Sequence, residues 1–415
     1  VNNSLRVVMI THGYYPRIGG AERQLAALTP LLQEEGIEVH VITRRDPGLL
    51  PFELIHNVPV YRLPVPGPKL TASAAFTLSA LNLLRHLKPD IIHAHGLDTS
   101  PARIALIFKC LTNRGVFSKS LFEEGHVSAL RTPPCASLRG RFLNDMPVIT
   151  KILRSGKSGL GDIDRFKQKP FGKKLLPFFL RNTDAFVAIS REIDAELALS
   201  GVPKHRRVFI PNGVDTNRFR PLSAENKTAL KKKMNISGSP VLIFTGRISS
   251  EKRIRHLLRL WPVVRQSHPE ANLLIAGDGP ERAELEESAI SGARFLGAID
   301  DVSPYLQTGD IFVLPSVAEG LSNALLEAMS TGLAVVATDV GGASDVITHD
   351  KNGCLIPADD LPALQAAILR LSGDAELRND LGIRACDHIR QNYALPMIAK
   401  RLRMLYGQMT HISDS

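Results

Sequence analysis

The sequence predicts an α/β protein built from two parallel-sheet domains that face each other across a cleft. Three observations lead there. At 415 residues, with 44% hydrophobic and 22% charged side chains, the chain is too long for one compact core and divides into two units of roughly 200 residues each. Apolar runs alternate with helix-length amphipathic stretches throughout, which is how parallel strands joined by crossover helices read. Near the middle, Ile210-Pro211-Asn212-Gly213-Val214-Asp215 combines proline with an Asn-Gly turn signal and marks the connection between the halves. The expected division is 1–208 and 209–393, with 394–415 left over.

In chain order, the strands expected in the first half are Arg6 to Thr11, Glu38 to Thr43, Asp90 to His95, Pro147 to Leu153 and Asp184 to Ser190. In the second half they are Val241 to Gly246, Asn272 to Gly277, Ala293 to Ile299, Asp310 to Pro315 and Ala334 to Asp339. Each is a short apolar run bounded by turn residues. Ala21 to Glu35 reads as an amphipathic helix behind the first strand. A last helical pattern, Pro396 to Met409, follows a helix ending near Asn392-Tyr393; it exceeds what the second sheet needs and so packs elsewhere. Asn113 to Asp145, with Thr132-Pro133-Pro134-Cys135 inside it, has no clean periodicity and reads as a long loop, functional or mobile.

Composition excludes several classes. No run of about 18 apolar residues is present to cross a bilayer. Val1 to Arg6 lead straight into an apolar run without the segments of a secretory signal, so the expected location is the cytoplasm. Cys110, Cys135, Cys354 and Cys386 lie far apart without CxxC or CxxH spacing and read as free thiols. The charge balance, 51 basic against 41 acidic residues, is +10. The excess is concentrated in Lys151, Arg154, Lys157, Arg165, Lys167, Lys169, Lys173, Lys174 and Arg181, opposed only by Asp162 and Asp164. That run attracts phosphates or anionic headgroups, with a solvated helix face as the alternative. No set of aromatics for stacking bases is read in it, which ranks nucleic acid weakest.

The motifs point to phosphate. His12 to Gly20 ends in the pair Gly19-Gly20 at a strand-to-helix turn, where backbone N–H groups approach an anion closely and the helix dipole adds attraction; phosphate or acceptor binding is one reading, and a glycine turn with no ligand, since GxGxxG is absent, is the alternative. Gly156-Lys157-Ser158 looks like the tail of a P-loop, but Lys151 stands where the first glycine is needed. Strand alternation puts His93 and His95 on one face, with polar partners expected rather than a metal, since no third ligand has suitable spacing.

In the second half, Gly246-Arg247-Ile248-Ser249-Ser250-Glu251-Lys252 follows a parallel strand, and open α/β sheets bind ligands at such strand ends. Arg247 and Lys252 offer two positive charges to a pyrophosphate, with structural ion pairs as the alternative. Ala276-Gly277-Asp278-Gly279-Pro280 ends another strand. Glu319 precedes a helix, and Glu327, eight residues on, lies two turns into it. A carboxylate there needs partners, and sugar hydroxyls serve. The amides of Leu321, Ser322 and Asn323 fall at that helix N-terminus, suited to a diphosphate.

These motifs, in order Gly19-Gly20, Asp90 to Gly96, Pro211 to Asp215, Gly246 to Lys252, Gly277 to Pro280, Glu319 to Glu327, and Gly341-Gly342 with Asp345, resemble the retaining glycosyltransferases of family four, also called glycosyl transferases group one. The resemblance implies the GT-B fold: two Rossmann-like domains, the first taking the acceptor and the second the nucleotide sugar, with the C-terminal helix crossing back to the first. It implies Glu319, Arg247 and Lys252 as catalytic residues. It implies donor binding by Gly19, Gly20, Arg247, Lys252, Asp278, Glu319, Gly320, Leu321, Ser322, Asn323 and Glu327. Arg247 and Lys252 would hold the diphosphate, Glu327 the ribose hydroxyls and Glu319 the sugar hydroxyls. No metal and no cofactor are implied. The donor would be a UDP- or GDP-hexose, the configuration retained, and the acceptor a glycan, a lipid-linked sugar or a small molecule. The expected setting is polysaccharide or cell-envelope synthesis, with peripheral membrane contact through 151–181.

Two positions depart from the family. Many members end the strand matching Pro147 to Leu153 in a His, whereas this chain has Thr150-Lys151-Ile152-Leu153-Arg154-Ser155-Gly156. Acceptor or phosphate contact is therefore assigned to His95, Lys151 and Arg154. Asp345 stands where the family often has Glu. The rival readings are a sugar-nucleotide epimerase, which the Glu319 to Glu327 spacing disfavours, and a catalytically silent nucleotide- or partner-binding relative. A nicotinamide-dependent oxidoreductase is weaker, because GxGxxG is absent.

Overall fold

The structure is a computed structural model that describes residues 4–16, 19–97, 100–113, 146–155, 161–288 and 291–410. Most of the aperiodic stretch, 114–145 with Cys135, and Gly156-Lys157-Ser158 lie outside the described residues. Among the described residues two sheets form. The first contains β1 (Leu5–Ile10), β2 (Ile37–Arg44), β3 (Phe52–Ile55), β4 (Val58–Leu63), β5 (Ile91–His95), β6 (Val148–Ile152), β7 (Ala185–Ala188) and β8 (Arg207–Phe209). Its order is β3-β4-β2-β1-β5-β6-β7-β8. The second contains β9 (Val241–Thr245), β10 (Asn272–Ala276), β11 (Ala293–Gly297), β12 (Ile311–Leu314), β13 (Ala334–Thr338) and β14 (Cys354–Ile356), in the order β11-β10-β9-β12-β13-β14.

Every pairing is parallel except the β3–β4 hairpin. Helices cover both faces, so β5, β6, β9 and β13 are buried along their whole length, and β9 and β13 read as near-continuous apolar runs while β5 and β6 are interrupted by His93, His95, Thr150 and Lys151. That is why the sequence located them. Four strands at or beside sheet edges, β3, β4, β8 and β14, escaped it, whereas the edge strand β11 did not. β3 and β4 are joined through His56 and Asn57, both in the left-handed region, without the Asn-Gly pair that signals such a turn. β8 and β14 are three residues each and carry no usable period.

In each sheet the strand order reverses beside the first strand, at β1/β5 and at β9/β12. A crevice forms at that point because the connections leave to opposite sides. The chain passes between the halves at Ile210 to Asp215 and returns alongside: Val214 N–H donates to the carbonyl of Tyr393, and Leu395 N–H donates to that of Val214. The terminal helix, Leu395–Thr410, then packs on the Gly20–Glu34 helix of the first half, burying Ile398, Leu402 and Tyr406 against Leu25, Leu28 and Leu32. Cys110, Cys354 and Cys386 are unpaired. No helix among the described residues is long and apolar enough to cross a membrane.

Candidate functional site

A cleft of about 970 Å³ opens between the carboxyl ends of the two sheets, and each site residue assigned from the sequence borders it. The wall from the second half is built from consecutive strand ends. β9 runs into Gly246 and the turn Ser250–Lys252, while β10 runs into Gly277-Asp278. The two loops are stitched together, Gly246 N–H to the Ala276 carbonyl at 2.9 Å and Ile248 N–H to the Asp278 carbonyl at 2.9 Å. This packing requires glycine at 277: its φ is +148°, and a Cβ there would fall 1.8 Å from the Gly246 carbonyl oxygen. Asp278 turns its carboxylate onto the Gly279 N–H, so its part in the wall is to shape the loop.

The two cations differ. Lys252 is ion-paired with Glu319, whereas Arg247 is exposed, with no carboxylate partner among the described residues. Thr245, at the end of β9, holds a buried Oγ1 with no hydrogen-bond partner among the described residues. It borders the same space.

The helix after β12 spans Asn323–Ser330, capped by Ser322, whose Oγ accepts from Leu325 N–H. Glu327 is therefore about one turn into the helix, not two. Leu321 buries its side chain, so only its backbone faces the cleft network. Gly320 touches the other half: a Cβ there would lie 2.0 Å from the Leu153 carbonyl oxygen. Next to it Ser155 donates to the Glu319 carbonyl at 2.9 Å. Glu327 is partly exposed in the cleft wall; desolvation pushes its carboxyl up to about 7, against the pull of Arg23 and Arg218.

On the opposing wall Gly19 caps the Gly20–Glu34 helix, and the Gly20 carbonyl accepts from Asn323 Nδ2 at 2.7 Å. Lys151 is buried and donates to Asn212 Oδ1 at 3.0 Å. Asn212 in turn donates to Asn323 Oδ1 at 3.0 Å and to the Leu321 carbonyl at 3.1 Å. A continuous relay, Lys151 to Asn212 to Asn323 to Gly20, thus ties β6, the connector, the donor-side helix and the glycine turn. Burial lowers the Lys151 ammonium to about 8.

His93 and His95 stack with ring centroids 4.6 Å apart, and His93 Nδ1 meets the Tyr406 hydroxyl at 2.7 Å. Burial, followed by the neighbouring Lys151 charge, lowers His93 to about 3; burial, His93 and Lys151 together lower His95. Both are neutral near pH 7. The polar partner of His93 is Tyr406 of the terminal helix.

The basic run does not form one surface. Lys151 is buried, Arg154 and Arg165 both reach Glu251 across the cleft at 3.3 and 3.5 Å, and Lys167 pairs with Asp164. Phenylalanines do interleave it: Phe166 and Phe179 are buried, while Phe171 and Phe178 are exposed. Asp345 accepts from the Arg191 N–H of the first half at 2.7 Å, so the shorter carboxylate still reaches across.

Reading the sequence missed Arg23, Asn212, Glu251 and Thr245 as parts of the site. Asn212 lies in the turn between the halves, and Arg23, in the amphipathic helix behind the first strand, reaches the Ile299 carbonyl of the second half at 3.0 Å. Their spacing in sequence carries no trace of contacts made between distant segments.

Comparison with known proteins agrees with this architecture. Residues 19–213 match the family model "Glycosyl transferase 4-like domain", and residues 239–374 match "Glycosyl transferases group 1". The chain is 25% identical over 418 residues to an uncharacterized glycosyltransferase of Methanocaldococcus jannaschii, covering 97% of this chain and 98% of that one. It is 27% identical over 399 residues to a GDP-mannose-dependent alpha-mannosyltransferase of Mycobacterium tuberculosis, covering 94% and 90%. The fold matches that of HepE of Anabaena, solved with UDP-glucose, at a TM-score of 0.75 and 16% identity, over 97% of this chain and 100% of that one. The chain belongs to the group 1 glycosyltransferases, a glycosyl transferase 4-like domain followed by a group 1 domain, and is a glycosyltransferase of the GT-B fold that uses a nucleotide sugar.

Proposed function

We propose that the protein transfers a hexose from a UDP- or GDP-sugar held against the second sheet to an acceptor entering from the first, with retention of configuration and without a metal or other cofactor. The observation that carries this reading is the convergence, at adjoining strand ends, of a cationic pair with two carboxylates. In the reaction the bond from the anomeric carbon to the diphosphate breaks with its electron pair going to the diphosphate oxygen, the acceptor oxygen bonds to that carbon, and the acceptor's proton passes to the departing diphosphate. Negative charge develops on the diphosphate, and Arg247 and Lys252 are the groups that meet it. This cationic grip supports metal-independence. Lys252 exchanges or shares its Glu319 partner as the diphosphate arrives, which frees Glu319 for the sugar hydroxyls. Glu327 takes the ribose, and Gly19, Gly20 and the 320–323 segment close around the donor. His95, Lys151 and Arg154 face the acceptor side.

The related proteins bind different nucleotides, GDP-mannose in one and UDP-glucose in another, so the base is best decided by trial. The acceptor is a glycan, a lipid-linked sugar or a small molecule. We place the protein in the cytoplasm and, for a lipid-linked acceptor, peripherally at the inner face of the membrane.

The test is release of nucleoside diphosphate across a panel of UDP-, GDP- and ADP-sugars, with chelator present. One donor is expected to be consumed, and Lys252→Ala and Glu319→Ala each to lower the rate by about 10²–10³-fold. NMR of the product is expected to show the donor's anomeric configuration. Thermal stabilisation by nucleotide with no release from any donor, even after acceptors are supplied, would instead identify a silent binder.

A further inference from the structure

We propose that the outer face of the Gly172–Asn182 helix, with the groove beside it, docks on an anionic lipid bilayer, its aromatic and aliphatic side chains entering the interface and its lysines meeting the headgroups. The inference rests on the peripheral-membrane reading above and narrows its 151–181 segment to one helix face.

The helix has an ordinary inner face, with Leu176, Phe179 and Leu180 buried and the Phe166 ring 4.9 Å from that of Phe179. Its outer face is not that of a solvated helix. Phe171, Leu175 and Phe178 follow one another at spacings of four and three, on one stripe, and are 74%, 44% and 46% exposed. Phe171 opens the helix at φ 60°, a conformation that a bulky residue adopts only at a cost and that glycine or asparagine takes easily. Folding therefore does not explain an aromatic ring at that turn.

A groove of about 520 Å³ lies alongside, bordered by Lys167, Lys173, Arg181 and Arg206 together with Leu199, which is 90% exposed. Lys173, Lys174 and Arg181 have no carboxylate partner among the described residues.

An exposed apolar patch rimmed by cations marks an interaction surface. The chemistry selects among partners. Lysines alone would suit a nucleic acid, but the aliphatic Leu175 on the stripe of the rings and Leu199 on the groove match acyl chains and not bases. Lysines near an anionic leaflet add to apolar insertion, each worth about fivefold in affinity. The position fits as well. The short Asp162–Gln168 helix sends Arg165 to the cleft and Lys167 to the groove, so a bilayer docked here lies beside the wall assigned to the acceptor.

The experiment sediments the full chain with vesicles of phosphatidylcholine alone and of phosphatidylcholine mixed with phosphatidylglycerol, at low and high salt. Compared with it are Phe171→Ser with Phe178→Ser, Lys173→Glu with Lys174→Glu, and the control Leu78→Ser, a 68% exposed apolar residue elsewhere. Binding is expected on the anionic vesicles only, weakened by salt, at least about tenfold weaker in each double variant, and unchanged in the control. Nucleoside diphosphate release measured without vesicles stays at the parent rate in all of them, showing that each is folded. If the parent chain binds neither vesicle, the peripheral-membrane reading falls and this surface with it. If it binds but both double variants bind equally well, this surface alone is wrong. Loss on lysine reversal only, with an oligonucleotide competing, would overturn bilayer docking in favour of a nucleic-acid site.

Discussion

Glu327 enters the cleft wall with its ionisation displaced, and the displacement has a definite consequence. Its folded value of about 7 exceeds the ordinary 4.5 because burial disfavours the charged form. Between those values the folded protein holds a proton that the unfolded chain has released, so this group's contribution to stability is full below about 4.5 and is lost as pH rises through 7. Glu327→Gln removes the titration. Its thermal midpoint is expected to gain on the parent between pH 5 and pH 8 by on the order of 2 kcal/mol, a few degrees. Donor affinity is expected to move the other way. A carboxylate accepts from two ribose hydroxyls better than a carboxyl does, so binding of the free nucleotide strengthens as pH rises through 7, and calorimetry on Glu327→Gln shows a flat profile.

Lys151 and Asn212 form the second residue-scale case. Asn212→Ala strips a buried ammonium of its acceptor at 3.0 Å and is expected to cost about 2–3 kcal/mol. Adding Lys151→Met recovers part of that loss, because the stranded charge goes with it; additive effects in denaturant unfolding would show the two are not coupled. The Lys151 ammonium is depressed to about 8 from 10.5. The folded state therefore holds fewer protons than the unfolded chain in that interval, and stability rises with pH across it. Lys151→Met abolishes that rise.

At the scale of elements, the strand-end loops and the Asn323–Ser330 helix decide how closely the halves approach. Gly320 makes a tight contact between the halves, its missing Cβ leaving room for the Leu153 carbonyl. Gly320→Ala is expected to hold the halves apart, so that donor release falls at least about tenfold through lost alignment while each sheet keeps its fold. Circular dichroism like the parent's with lost release is the expected pair of results; unaltered release would mean that the contact is not needed for catalysis. Many of these elements were legible in the sequence. β9, β12 and β13 lie inside their sheet, where burial on both faces leaves a near-continuous apolar run, and β5 reads as one apart from His93 and His95. The β3–β4 hairpin and the three-residue strands β8 and β14 sit at or near sheet edges, where few residues are committed to pairing and the pattern fades.

For the whole molecule, a ligand that bridges the loops of the second sheet and contacts the glycine turn of the first stabilises the assembled cleft. Nucleoside diphosphate at about a hundred times its Kd is expected to add about 2.7 kcal/mol, seen as a rise of several degrees in the thermal midpoint. Arg247→Ala combined with Lys252→Ala removes most of that rise. The sequence by itself determined the two α/β halves, the order of the phosphate-facing motifs and the family, because these follow from local periodicity and from residues close together in the chain. Only the tertiary structure decided which charges are available. It paired Lys252 with Glu319, left Arg247 unpaired, buried Lys151 beneath Asn212, divided one basic run between a cleft and an outer groove, and turned Phe171 and Phe178 to the surface. Those outcomes depend on contacts between segments up to some three hundred residues apart, such as Gly20 with Asn323, and burial and charge pairing are properties of such contacts, which spacing along a chain does not record.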